Sequence, residues 1–64
     1  MKREFEKAST LGRLLLSNSF DTPKGRYRID IREYEGNIYF FKYRDGSLLE
    51  CRNLNKNGIR EVFV

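Results

Sequence analysis

Apolar and small residues in the first third of the chain recur at helical spacing. Phe5, Ala8, Gly12 and then Leu15 and Leu16 recur at spacings of three and four, with Leu11 and Leu14 flanking them on the same side. Lys2, Arg3, Glu6, Lys7 and Arg13 fall mostly on the other side, so the pattern predicts one amphipathic helix over residues 2–18. Gly12 costs such a helix about 1 kcal/mol relative to alanine, and a small residue there would let it approach a neighbouring layer closely. Ser17-Asn18-Ser19 and then Asp21-Thr22-Pro23-Lys24-Gly25 read as the stop signal and a turn-rich connector.

From Arg26 the period changes to two. In Arg26-Tyr27-Arg28-Ile29-Asp30-Ile31-Arg32 the odd positions are apolar and the even ones charged, which predicts a strand. Glu35-Gly36-Asn37 is a turn, and the run from Ile38 to Arg44 is aromatic and β-branched on both parities, as a central strand contacted on two faces would be. Asp45-Gly46 and Asn57-Gly58 are hairpin signals. They delimit a third strand over 47–54 and a fourth over 59–64.

Short turns between successive strands make an antiparallel meander. The expected fold is therefore α+β: a single N-terminal helix packed on one face of a three- to four-stranded antiparallel β-meander, within one small domain spanning residues 1–64. The alternative is a small curled β-barrel with the helix at one end. A three-residue loop at 35–37 would set Ile31 opposite Phe41 and Asp30 opposite Lys42, and the Asp45-Gly46 turn would set Tyr43 opposite Leu48, Phe41 opposite Glu50 and Phe40 opposite Cys51. A slip of one residue would send every side chain to the other face. In this register Tyr27, Ile29, Ile31, Tyr39, Phe41, Tyr43 and Leu48 form the face that the helix covers. Arg26, Arg28, Arg32, Ile38, Phe40, Lys42, Arg44 and Leu49 lie on the other. That basic face with an apolar centre is the candidate binding surface.

Composition narrows the chemistry. The 64 residues include no histidine and one cysteine. The commonest general base is thus missing, an intrachain disulfide is impossible, and no zinc cluster, other metal site or cofactor loop can be assembled. Each glycine of the strand region stands alone in a turn. Cys51, in a strand and without a histidine partner, reads as a shielded thiol. An enzyme is not expected.

No apolar run approaches the ~20 residues of a membrane span, so no membrane partner is expected, and the charged N-terminus lacks the apolar stretch of a secretory signal. A lone thiol without an export signal fits a reducing cytoplasm.

The formal net charge is +4 and 14% of residues are aromatic. Aromatic and arginine side chains are enriched at interface cores, so the sequence points to a non-enzymatic binding module whose partner is another protein or a second copy of itself. Nucleic acid, held by the cations with Phe40 as a stacking platform, is the alternative. The order Asn37-Ile38-Tyr39-Phe40-Phe41-Lys42-Tyr43 loosely resembles an aromatic-rich strand of an RNA-recognition motif. It lacks the basic-Gly-aromatic opening, and the chain is too short for that family's two-helix topology, so the family is not carried over.

Overall fold

The helix is shorter than its apolar spacing predicts. In the computed structural model, which describes residues 3–54, α1 covers Arg3–Leu11 and the chain leaves it at Gly12. The Gly12 N–H donates to the Ala8 carbonyl at 2.9 Å. A Cβ at position 12 would lie 2.4 Å from that oxygen and 3.2 Å from the Glu33 carbonyl oxygen. Glycine is required here by close approach, first to the carbonyl of the helix's own last turn and then to the β2 backbone beside it.

Beyond Gly12 the expected helix gives way to a strand, β1 (Arg13–Thr22). Serine and asparagine compete for backbone hydrogen bonds and are weak helix formers, so Ser17-Asn18-Ser19 cannot extend a helix through the three leucines. As a strand the same segment pairs along its length with β2 (Gly25–Tyr34), and the Ser17 hydroxyl donates to the buried Asp30 carboxylate at 2.7 Å.

β3 (Asn37–Arg44) and β4 (Ser47–Leu54) complete an antiparallel sheet in the order β1-β2-β3-β4. The architecture is the α+β meander expected, one N-terminal helix on a four-stranded sheet. The sheet is open, with β1 and β4 at opposite ends of the strand order, rather than curled into a barrel. The strands expected at 26–32, 38–44 and 47–54 are β2, β3 and β4. The one expected at 59–64 lies outside the described residues.

Two turns have positive φ at both central residues: Glu35-Gly36 at 50° and 80°, and Asp45-Gly46 at 49° and 85°. Both are therefore two-residue turns of the type I′ class, whose twist suits a hairpin. This corrects the three-residue loop expected at 35–37. Asn37 pairs with Tyr34 instead of sitting in the loop, so Ile31 faces Phe40 and Asp30 faces Phe41. At the next hairpin Tyr43 faces Leu48 as expected. A bulge between Lys42 and Tyr43 then moves Phe41 opposite Cys51 and Phe40 opposite Arg52.

The one-residue shift divides the core between both sides of the sheet. On the helix side Ala8, Tyr39 and Phe41 are buried, with Phe5, Tyr34, Tyr43 and Cys51 against them. The Phe5 ring meets Tyr39 edge-on at 5.5 Å. α1 thus covers Tyr39, Phe41 and Tyr43 as expected, but Tyr27, Ile29 and Ile31 lie on the reverse side. There Ile31, Phe40 and Leu54 are buried together, flanked by Ile29 and Ile38. Each large side chain so buried contributes roughly 1.5–3 kcal/mol before entropy is counted.

The charged parity of β2 consequently shares the helix side. Its last charged residue, Arg32, donates from Nη1 to the Gly12 carbonyl at 2.9 Å, which places a cation where the helix dipole ends. No helix among the described residues is long and apolar enough to cross a membrane.

Candidate interaction surface

The eight candidate residues do not form one surface. Arg26, Arg28 and Arg32 belong to the helix side of β2. Ile38, Phe40, Lys42 and Arg44 belong to the reverse side of β3, and Leu49 occupies the β4 bulge, half exposed to solvent. Phe40 is 6% exposed and belongs to the core, so it cannot serve as a stacking platform. The cause is the two-residue turn, which carries the charged parity of β2 and the Phe40 parity of β3 to opposite faces.

Four arginines have acidic neighbours. Arg13, Arg26 and Arg28 reach Glu33, Asp21 and Asp30 at 3.7, 3.7 and 3.3 Å, and Arg52 reaches Glu50 at 2.8 Å. The Arg28 guanidinium also lies 4.3 Å from the centre of the Tyr43 ring, and Arg52 lies 4.9 Å from that of Phe40. An open hollow of about 310 Å³ lies on the helix side, lined by Ser19, Arg26, Arg28, Tyr43, Asp45 and Gly46. Asp45 occupies its rim and accepts the Arg26 backbone N–H at 3.0 Å. A carboxylate on the rim and a second one paired to Arg28 leave the hollow poorly suited to an anion.

β1 presents a different surface. It is an edge strand among the described residues, and an edge offers a row of unpaired N–H and C=O groups to another chain. Leu14, Leu15 and Leu16 are 47%, 45% and 42% exposed in succession, Phe20 is 42% exposed, and Leu11 at the preceding helix end is exposed as well. A bulge at Leu15 lets Leu14 pair with Arg32 and Leu16 with Ile31. Leu14 therefore shares the helix side, while Leu16 and Phe20 share the reverse side. The Phe20 ring stacks on Tyr27 at 5.8 Å, and the Lys42 ammonium lies 5.4 Å from the same Tyr27 ring.

Sequence reasoning missed this surface because it read the leucines as the buried stripe of a helix. The signal that could have found it is the Ser17-Asn18-Ser19 run directly after them, which a helix tolerates poorly and an exposed edge strand tolerates well.

Among the described residues no group of three or more Cys, Asp or Glu side chains is placed to hold a metal ion. Cys51 is half-buried beside Phe41. Burial pushes the Tyr39 phenol above its ordinary value of 10.0, and the Glu4 and Glu35 carboxylates push it the same way. A scan against protein-family models, a search of curated proteins and a search of solved structures each found no match.

Proposed function

We propose that this chain is a non-enzymatic protein-binding module that engages its partner through the β1 edge. The observation that carries the reading is the run of exposed leucines, Leu14 to Leu16, with Phe20 on the same edge strand. Apolar side chains beside a strand edge that is unpaired among the described residues suit strand addition, in which main-chain hydrogen bonds supply affinity and side-chain pockets supply specificity. A nucleic-acid partner finds less support. The cations expected to cluster round Phe40 fall on two faces, and a phosphate would compete with carboxylates already paired to Arg13, Arg26, Arg28 and Arg52.

Site-directed photo-crosslinking tests the reading. A photoreactive phenylalanine at Leu15 should give a protein adduct of one defined mass in cells producing the chain, and the same group at Lys24, in the adjoining exposed turn, should not. Equal adducts from both positions, or none from Leu15, would overturn it.

A further inference from the structure

On the reading that β1 is the binding edge, we propose that its partner is a second copy of this chain, paired antiparallel β1 to β1 about a two-fold axis through Asn18. A two-fold contact between identical edges is self-complementary, so fixing the axial residue fixes every other pair. Directly paired residues must also share a face of the continued sheet. The axis can then be tested along the segment between the Leu15 bulge and the Pro23 turn: an axis through Leu16 pairs Ser17 with the bulged Leu15, and any axis beyond Ser19 leaves Leu16 without a partner in that segment.

An axis through Ser17 sets Leu16 against Asn18 of the second copy, an apolar chain against an amide. An axis through Ser19 sets Asn18 against Phe20, Ser17 against Asp21 and Leu16 against Thr22, matching nothing. With the axis through Asn18 every pair is like with like. Leu16 meets Phe20 of the second copy, Ser17 meets Ser19, and the two Asn18 amides meet each other.

The neighbouring strands agree with that choice. Leu16 lies opposite Ile31, which lies opposite Phe40, while Phe20 lies opposite Tyr27. Joining Leu16 to Phe20 of the second copy makes one row across the continued sheet, Phe40, Ile31, Leu16, then the second copy's Phe20 and Tyr27. Two-fold symmetry repeats the row. The exposed Phe20–Tyr27 stack would then be covered at its outer edge by a leucine. The bulge at Leu15 falls just outside the paired segment, where it limits the contact to a short stretch and stops the edge from adding strands along its whole length.

Register-specific cysteines decide the matter in the full chain with Cys51→Ala. Residues directly opposite in an antiparallel pair bring their Cβ atoms to about 4.5–5.5 Å, close to disulfide reach. Asn18→Cys should therefore form a disulfide-linked dimer on mild oxidation. Leu16→Cys alone should not, because the two copies of position 16 would be roughly 13 Å apart at ~3.3 Å per residue. A mixture of Leu16→Cys and Phe20→Cys chains should give only the mixed dimer. In sedimentation equilibrium the unmodified chain should show a reversible monomer–dimer equilibrium, and Phe20→Lys, on an exposed position, should weaken it about tenfold or more.

A dimer whose cysteine pattern differs overturns the proposal. A strict monomer up to about 1 mM also overturns it. In that case Leu15 adducts of another mass would leave the binding reading standing, whereas no Leu15 adduct would remove both.

Discussion

Ile31 lies directly opposite Phe40 across β2 and β3, and the two are buried together on the side of the sheet away from α1. The next residue, Phe41, is fully buried on the helix side. Consecutive phenylalanines are thus both interior, because β3 is a central strand with a cluster of buried side chains on each face.

That arrangement predicts equal sensitivity at neighbouring positions. Phe40→Ala and Phe41→Ala should each cost about 3–5 kcal/mol, as much as the whole margin of about 3–5 kcal/mol available to a domain of this size. Both variants should be largely unfolded by circular dichroism at 25 °C. Leu49→Ala, on the exposed bulge, should stay within about 0.5 kcal/mol of the parent in urea. A folded Phe40→Ala protein would contradict the register.

Gly12→Ala gives an opposite sign to helix propensity. Alanine favours a helix by about 1 kcal/mol over glycine, yet its Cβ would sit 2.4 Å from the Ala8 oxygen and 3.2 Å from that of Glu33, both backbone atoms. Neither can move without shifting the helix end or β2, so the substitution should destabilise by about 1–3 kcal/mol. A raised urea midpoint would show that the helix end is free to withdraw from the sheet.

The Arg32 side chain ties the same junction from the other side. A nine-residue helix is too short to persist alone in water, so its contacts with β2 and β3 hold it. Arg32→Ala removes the hydrogen bond to the Gly12 carbonyl. After allowance for partial exposure of the guanidinium, the loss should be about 1–2 kcal/mol. Helical ellipticity should fall before the sheet melts, and a single coincident transition with an unchanged midpoint would contradict the tether.

The order of β2, β3 and β4, the Asp45-Gly46 turn and the helix contact with Tyr39 and Phe41 were legible in the residues. The Tyr34–Asn37 pair was not. Glu35-Gly36-Asn37 can close a hairpin with Asn37 inside or outside the loop, and alternation in β2 is equally satisfied either way. It states that two faces differ without stating which face of β3 each one joins. The placement of Asp30 and Arg32 on the helix side runs against burial preferences: Ser17 and Arg28 satisfy Asp30, while Arg32 finds the Gly12 carbonyl with Nη1 and leaves its Nε buried without a partner among the described residues. β1 was illegible for another reason. Leu14-Leu15-Leu16 has no period, and a bulged edge strand supplies none.

Alkaline pH should separate Tyr39 from the other determinants of stability. Tyr39 is 2% exposed. Burial holds its pKa above the ordinary 10.0, with the Glu4 and Glu35 carboxylates adding to the rise. The fold therefore favours the protonated phenol, and above the unfolded pKa the native state binds more protons than the unfolded one. Stability is fully present below pH 10.0 and is lost as pH rises towards the raised folded value. Tyr39→Phe keeps the ring against Phe5 and Phe41 but removes the titrating group. The variant should unfold within about 1 kcal/mol of the parent at neutral pH, and its urea midpoint should fall less steeply than the parent's between about pH 9 and 11. Glu4→Gln removes one of the two carboxylates and should make the alkaline loss smaller and end it at lower pH, because the phenol's folded value then moves down towards 10.0 while its unfolded value is unchanged. Parent and Tyr39→Phe curves that stay parallel through this range would mean that folding leaves the phenol's ionisation unchanged, and that Tyr39 reaches solvent before the sheet opens.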